Sequence, residues 1–521
     1  MSITRQEFLK LQNGSDIRGV ACVGVEGENV NITNEAAYLI GQAFAQWIAG
    51  KTGTKPEECK VGIGMDSRIT GKTLKQMMTA GMLSKGVNVC DCKMASTPAM
   101  FMSIVYPETK FTASCMITAS HLPFNRNGFK FFNEDGGLEK ADITEILNIA
   151  ADLAPECADE KISEVENILK NAADCGRLET YDLITLYAQR LQEKIKADIK
   201  DNSDKPLEGL KIVVDAGNGA GGFFAEKVLR PLGADTEGSS YLEPDGMFPN
   251  HIPNPEDKTA MEAICSSTVN SQADLGLIFD TDVDRMSAVL ADGTPVNRDS
   301  IIAMMSAILA PDYPGSTIIT DSVTSDRLTD FLEKELGLKH LCYKRGYKNV
   351  INKCKELNAS GIVSPLAMET SGHGCMKENY YLDDGAYLAV KITAAAAKAK
   401  KQGKTINELI EKLSTEYAAR EVRFKINTDD FKEYGNLVLE GFKADAGSRG
   451  LKMPVTYEGV RVGFEGDCSG WVLLRASLHD PVMVLNMEGR TAEDLSKITV
   501  KISEMMRGFE KIDISPLNCE I

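Results

Sequence analysis

Short apolar runs recur along the chain, each followed by a longer stretch with helical spacing. Lys60-Val61-Gly62-Ile63-Gly64-Met65 reads as a strand, residues 70–85 as a helix, and Gly86-Val87-Asn88-Val89-Cys90 as the next strand. This strand–helix–strand rhythm predicts an α/β sheet. It returns at residues 210–215, 273–279 and 316–320. From about Arg420 the pattern shifts to strands joined by turns and ends in one helix over about 491–508, as in a small α+β domain. Ala394-Ala395-Ala396-Ala397-Lys398 predicts a helix with Lys on its wet side. The polar stretch 197–207 and the Pro/Gly turn 311–315 mark boundaries. The expected division is 1–205, 206–314, 315–418 and 419–521, in line with the three or four domains that 521 residues should hold.

Composition narrows the class. At 43% hydrophobic and 26% charged the chain reads as an ordinary globular protein. A formal charge of −17 argues against nucleic acid and anionic membranes as partners, so any anionic ligand needs a local basic pocket. No apolar run approaches the roughly 20 residues of a membrane span, and residues 1–11 lack the core of a signal peptide. The 13 cysteines contain no C-x-x-C pair, which suits reduced thiols and a cytoplasmic location.

The densest chemistry lies at Asp280-Thr281-Asp282-Val283-Asp284-Arg285, directly after the apolar run Leu275-Gly276-Leu277-Ile278-Phe279. Carboxylates this close raise one another's pKa unless a cation neutralises them. Oxygen ligands suit Mg²⁺ or Ca²⁺ rather than zinc. An EF-hand loop is excluded, because its sixth and twelfth positions hold Arg285 and Ala291 instead of Gly and Glu. A cation beside a metal site fits a phosphoryl group.

Other loops follow strands in the same way. Thr118-Ala119-Ser120-His121-Leu122-Pro123 offers a Ser beside a His at a turn, with Asn127-Gly128-Phe129-Lys130 close behind; taken singly it equally fits a helix cap. Gly217-Asn218-Gly219-Ala220-Gly221-Gly222 satisfies G-x-G-x-x-G, which fits either a dinucleotide site or a tight turn packing a helix on a sheet. Glu369-Thr370-Ser371-Gly372-His373-Gly374 carries groups that hydrogen-bond sugar hydroxyls. Arg475-Ala476-Ser477-Leu478-His479-Asp480-Pro481 reads as an anion-binding turn. Of five His in the chain, His121, His373 and His479 fall in these loops, and His251 lies in a Pro-rich turn.

Together the loops resemble the α-D-phosphohexomutase family, nearly end to end, from Gly14-Ser15-Asp16-Ile17-Arg18-Gly19 to Arg475-Ala476-Ser477. The order is the family's: phosphoserine loop, metal loop, sugar loop, phosphate loop. The resemblance implies four domains, heart-shaped around a central cleft: three similar α/β mixed-sheet domains and a C-terminal α+β domain. Ser120 would carry the phosphoryl group and, with Asp280, Asp282 and Asp284, hold Mg²⁺. Arg18, Lys130, His121 and Arg285 would surround the reacting group. Glu369 and Ser371, with His373 and Lys348, would bind the sugar. Arg475, Ser477 and His479 would hold the phosphate that is not reacting. The implied reaction interconverts hexose 1-phosphate and hexose 6-phosphate, for glucose or mannose, through a hexose 1,6-bisphosphate that also serves as activator.

Some positions depart from the family pattern: Leu122 stands for Asn, Met368 for Gly, Tyr347 for His, and Leu478, His479 and Asp480 fill the second half of the phosphate loop. These changes raise an alternative, a hexose 1,6-bisphosphate synthase using a donor such as fructose 1,6-bisphosphate. A nicotinamide-dependent oxidoreductase and a silent sugar-phosphate sensor complete the alternatives. The motifs set the chemistry and leave the hexose and the oligomeric state open.

Overall fold

The computed structural model describes residues 3–156, 164–201, 203–477 and 480–518. His479 and its neighbour Leu478 lie outside the described residues. The chain divides into two compact units, one of Met1–Asn297 with Ser371–Ile406 and one of Arg298–Thr370 with Asn407–Ile521.

The first unit opens with a mixed sheet. Lys60–Met65 is an interior strand and runs parallel to Asn88–Met94 and Ala113–Ile117. Arg126–Asn133 pairs antiparallel with Ala113–Ile117 on one side and with Asp16–Val20 on the other. The predicted helix at 70–85 is observed as Gly71–Ser84. It crosses Asn34–Thr52, a helix capped by the Thr33 side chain and ended by Gly53 at φ 65°. Their apolar faces pack over the sheet around Phe44, Phe129 and Phe131, all buried.

The two helices cross at Gly41 and Gly81, where backbone meets backbone. A Cβ on Gly81 would stand 2.1 Å from Tyr38 O and 3.0 Å from Gln42 N, so the helices would have to separate. Gly81→Ala is expected to lower unfolding stability by about 2 kcal/mol or more. Urea denaturation checks this: a midpoint equal to that of the unaltered protein would contradict the close crossing.

A second sheet in this unit places Ile212–Asp215 parallel to Leu275–Phe279, which turns back antiparallel into Met286–Leu290. All of Leu275–Phe279 and Met286–Leu290 is buried. The pairing Phe279↔Met286 leaves Asp280 to Arg285 as the hairpin's loop. The unit is completed by the hairpin Gly374–Met376 with Leu382–Asp383, and by the helix Gly385–Lys401. In that helix Ala394, Ala396 and Ala397 face inward and Lys398 and Lys400 face water, as the Ala/Lys pattern predicts. Lys391 is buried, which the pattern does not reveal, and ion pairs to Asp198 and Glu378 make this tolerable.

In the second unit Thr317–Thr320 runs parallel to both Lys339–Cys342 and Leu366–Met368. Asp299–Leu309, the short Asp326–Asp330 and Tyr347–Ala359 are α-helices on this part of the chain. The C-terminal part is an antiparallel sheet in the order Ala418–Lys425, Val482–Gly489, Gly470–Ala476, Val460–Phe464. Phe431–Ser448 and Ala492–Met506 pack on it through Val438, Phe442, Leu495, Ile498 and Ile502. The fold is thus three α/β domains followed by a C-terminal α+β domain. Among the described residues no helix is long and apolar enough to cross a membrane.

Candidate active site

Both loops singled out at Ser120 and Asp280 are tight turns between buried strands of the first unit, and they meet. Ser120 sits just after Ala113–Ile117 with φ 52°, and Val283 in the acidic loop has φ 68°. Non-glycine residues adopt this backbone region only when their surroundings impose it. Ser120 Oγ donates to Asp280 Oδ2 at 3.1 Å, across 160 residues of sequence.

Asp280, Asp282 and Asp284 are buried, each with an oxygen within 4.8 Å of the others. Lys130 Nζ donates to Asp282 Oδ2 at 3.0 Å and to Asp284 Oδ2 at 2.5 Å. Thr97 also donates to Asp282 Oδ2 through its hydroxyl, and its backbone N–H donates to Asp282 O at 2.8 Å. Even so, Asp282 Oδ1 and Asp284 Oδ1 are buried without a hydrogen bond. Converging carboxylate oxygens with unused lone pairs fit a hard divalent cation. The charges themselves are strained. Burial, then the neighbouring Asp284 and Asp282, push Asp280 well above the usual carboxylate range. Burial also opposes ionisation of Asp284, but Lys130, His373 and Arg285 outweigh it and hold the group below that range.

Arg285 ties the two loops together. Its Nε donates to Asp280 Oδ2 at 3.1 Å and its Nη1 to Asn254 Oδ1 at 3.2 Å. Its Nη2 donates to His121 Nδ1 at 2.6 Å and lies 3.4 Å from Ser120 Oγ. A guanidinium only donates, so His121 Nδ1 accepts and the ring proton sits on Nε2. Burial, then the cations of Arg285 and Arg18, push His121 down to about 3, so it stays neutral at ordinary pH.

Arg18 lies on Asp16–Val20, opposite Gly128 in the strand that carries Lys130, and donates to Asp16 at 2.8 Å. Its charge is felt at His121 and Lys130. Burial works against the Lys130 charge, but Asp282, Asp284 and Asp16 hold it well above the usual lysine range. From the third loop, Ser371 and His373 join this group: their side chains hydrogen-bond at 2.9 Å, and His373 Nε2 lies 3.7 Å from Asp284 Oδ1.

The other sequence-singled residues belong to the second unit. Glu369 is buried and accepts from Gly346 N at 2.6 Å, which turns its carboxylate toward the start of the helix that bears Lys348. Arg475 ends the strand Gly470–Ala476, and its Nε is buried without a hydrogen bond. Burial and then the Arg345 cation lower its pKa, with Glu458 and Glu421 acting the other way. Ser477 donates its backbone N–H to Val482 O at 2.9 Å, and its Oγ accepts from Asp480 N at 3.2 Å. Glu458 Oε1 accepts from Arg345 N at 2.9 Å and from the Ser322 hydroxyl.

The glycine motif has a packing role. A Cβ on Gly219 would stand 2.6 Å from Thr281 O and 2.8 Å from Thr281 Cα, so this turn lies directly under the acidic loop. Sequence reasoning missed Arg68 and Asp66 beside the serine turn, Thr97 and Asn254, and Glu256, whose carboxylate lies 3.7 Å from Arg285 Nη1. The signal for the first two was present: Asp66-Ser67-Arg68 follows a buried strand, just as the acidic loop does.

Comparison with known proteins finds matches along most of the chain. Three patterns match in order: phosphoglucomutase/phosphomannomutase alpha/beta/alpha domain I over residues 9–155, domain II over 185–293 and domain III over 297–417. A Pseudomonas putida phosphomannomutase/phosphoglucomutase is 30% identical over 487 residues, 93% of this chain and 92% of its own. A Neisseria gonorrhoeae phosphoglucomutase is 28% identical, covering 95% of this chain and 96% of its own. The crystal structure of a phosphoglucomutase/phosphomannomutase family protein from Burkholderia thailandensis superposes with a TM-score of 0.71 at 25% identity, over 98% of both chains.

Proposed function

The chain belongs to the phosphoglucomutase/phosphomannomutase family and is a phosphohexomutase, an intramolecular phosphotransferase, and we infer from its loops how the transfer is carried out. The observation that carries the reading is Ser120 Oγ, 3.1 Å from a carboxylate of the buried aspartate group.

Ser120 carries the phosphoryl group. Its O–P bond breaks as a hydroxyl of the bound hexose phosphate forms one, and the proton of that hydroxyl ends on Ser120 Oγ. The product is a hexose 1,6-bisphosphate, which turns over and returns its other phosphate to Ser120. Phosphoryl transfer needs positioning and charge balance more than covalent help. Lys130, Arg18 and Arg285 supply the positive charge, and neutral His121 presents Nε2–H to a phosphoryl oxygen. Asp280, Asp282, Asp284 and the Ser120 phosphate would hold Mg²⁺, which when bound neutralises phosphoryl oxygens as a Lewis acid. Glu369, Ser371, His373 and Lys348 grip the sugar. Arg475, Ser477 and His479 receive the phosphate that is not reacting; the unsatisfied Arg475 Nε supports an anion there.

The division of labour follows four segments: 1–205 for the serine, 206–314 for the metal, 315–418 for the sugar and 419–521 for the distal phosphate. Hexose 1,6-bisphosphate acts as activator by rephosphorylating Ser120. The partners are hexose phosphates. A cytoplasmic location is supported by the free thiols at every described cysteine. The synthase alternative is not favoured, since the relatives carry mutase names. Glucose 1-phosphate and mannose 1-phosphate, each supplied with Mg²⁺ and a trace of hexose 1,6-bisphosphate, test the reading by ³¹P NMR. Hexose 6-phosphate should form from at least one of them. Stoichiometric build-up of bisphosphate, or no conversion of either sugar, would contradict a mutase.

A further inference from the structure

Ser120 is held from outside its own loop. Arg68, just past the strand Lys60–Met65, is 2% exposed, and its guanidinium is spent on main-chain carbonyls of the serine turn. Nη1 donates to Pro123 O at 2.8 Å and Arg126 O at 2.9 Å. Nη2 donates to Leu122 O at 2.6 Å and also to Ser120 O. Asp66 faces Arg68 Nε at 3.5 Å, and its Oδ1 accepts from Arg68 N at 2.9 Å. The Phe248 ring covers the guanidinium carbon at 5.2 Å.

Four carbonyls pointing at one another repel and cannot be left dry without donors. The planar guanidinium fork supplies those donors in fixed directions, which an ammonium cannot. The same turn holds Ser120 at φ 52°, a conformation that a serine does not keep by itself. Ser120 O, one of the four acceptors, sits two bonds from the Cα whose side chain carries the reacting hydroxyl. The departure from the family pattern at Leu122 is neutral here, because the turn uses its carbonyl, which any residue supplies.

We propose that Arg68 is a positioning residue for phosphoryl transfer: its guanidinium locks the serine turn so that Ser120 Oγ stays aligned on the Asp280 side of the site. Its guanidinium hydrogen bonds go to main-chain carbonyls and not to Ser120 Oγ or the three aspartates, so it governs the transfer rate and not the affinity for hexose phosphate. The inference rests on Ser120 being the phosphoryl carrier.

The test uses Arg68→Lys, which keeps the charge and loses the fork, and Arg68→Gln, which keeps two donors and loses the charge. Each is assayed in the full chain for kcat, KM and the rate of Ser120 phosphorylation by glucose 1,6-bisphosphate in rapid quench. Misplacing a reacting atom by about 1 Å costs on the order of 100-fold, so kcat and the phosphorylation rate of Arg68→Lys should both fall by about that factor, with KM within about threefold. Cooperative melting is expected to persist. Added guanidinium should restore part of the phosphorylation rate in Arg68→Gln. Wild-type kcat in a folded Arg68→Lys, or a loss confined to KM, would overturn the proposal. Failure of both variants to fold would also overturn it, because Arg68 would then be a folding determinant. Ser120→Ala separates the two levels: if it turns over normally the carrier assignment fails, and if it is inactive while Arg68→Lys is unimpaired only the positioning role fails.

Discussion

Ser120→Ala is expected to leave a folded protein whose mutase turnover is lower by about 10⁴-fold or more, because the proposed carrier of the phosphoryl group between its two transfers is gone. Ser120 is 3% exposed, and its hydroxyl makes one contact under 3.3 Å to another side chain, to Asp280 Oδ2 at 3.1 Å. Its loss leaves Asp280 with Arg285 Nε at 3.1 Å, so the acidic loop keeps its anchor and stability should change by less than about 1 kcal/mol. Coupled assay of turnover and thermal melting check the two halves of the prediction. A variant with more than about 1% of normal turnover would mean that the phosphoryl group travels by another route.

Asp280→Asn should separate activity from stability in opposite directions. Loss of one charged ligand is worth several kcal/mol in the transfer step, a fall in kcat of roughly 10³-fold. Without metal, however, Asp280 is the most strained member of the group. Burial and the two neighbouring aspartates hold its pKa well above the ordinary value. A carboxyl raised in this way keeps a proton in the folded chain at a pH where the unfolded chain has released it. The chelator-treated protein therefore loses stability as pH rises from about 4 through the raised pKa. The lowered pKa of Asp284 acts in the other window, below its ordinary value, and does not offset this. The side-chain amide in Asp280→Asn does not ionise in this range, and its oxygen can still accept from Arg285. Melting in EDTA at pH 7 should thus be equal or higher for Asp280→Asn, and the stabilisation that Mg²⁺ gives the unaltered protein should shrink. A variant that melts lower than the unaltered protein in EDTA would contradict the repulsion argument.

The parts of the site legible in the sequence are those where polar residues directly follow a buried strand. Phe279 to Asp280 and Ile117 to Ser120 both show that change, and the two loops they open are in hydrogen-bond contact. What periodicity could not supply is pairing across long separations. Nothing local announces that Lys130 serves Asp282 and Asp284, or that the Arg285 guanidinium fixes the tautomer of His121. Arg68 escaped for a different reason. Asp66-Ser67-Arg68 follows a buried strand as the acidic loop does, but what the arginine does there shows only in the four carbonyls that converge on it. The glycines at 217–222 carried a signal with two meanings, and contact with Thr281 selects packing. Lys391 shows the limit of helical patterning, since its partners Asp198 and Glu378 come from other segments of the chain.

The central claim is that the hydroxyl at position 120 is where the phosphoryl group rests between sugars. Incubation with glucose 1,6-bisphosphate labelled in its phosphates, followed by acid quench and peptide mapping, tests this most directly. The account predicts label on Ser120 alone, formed no more slowly than turnover, chased into sugar phosphate by unlabelled hexose phosphate, and absent when Mg²⁺ is removed. Turnover without a labelled protein, or label on any other residue at catalytically competent rates, would contradict it.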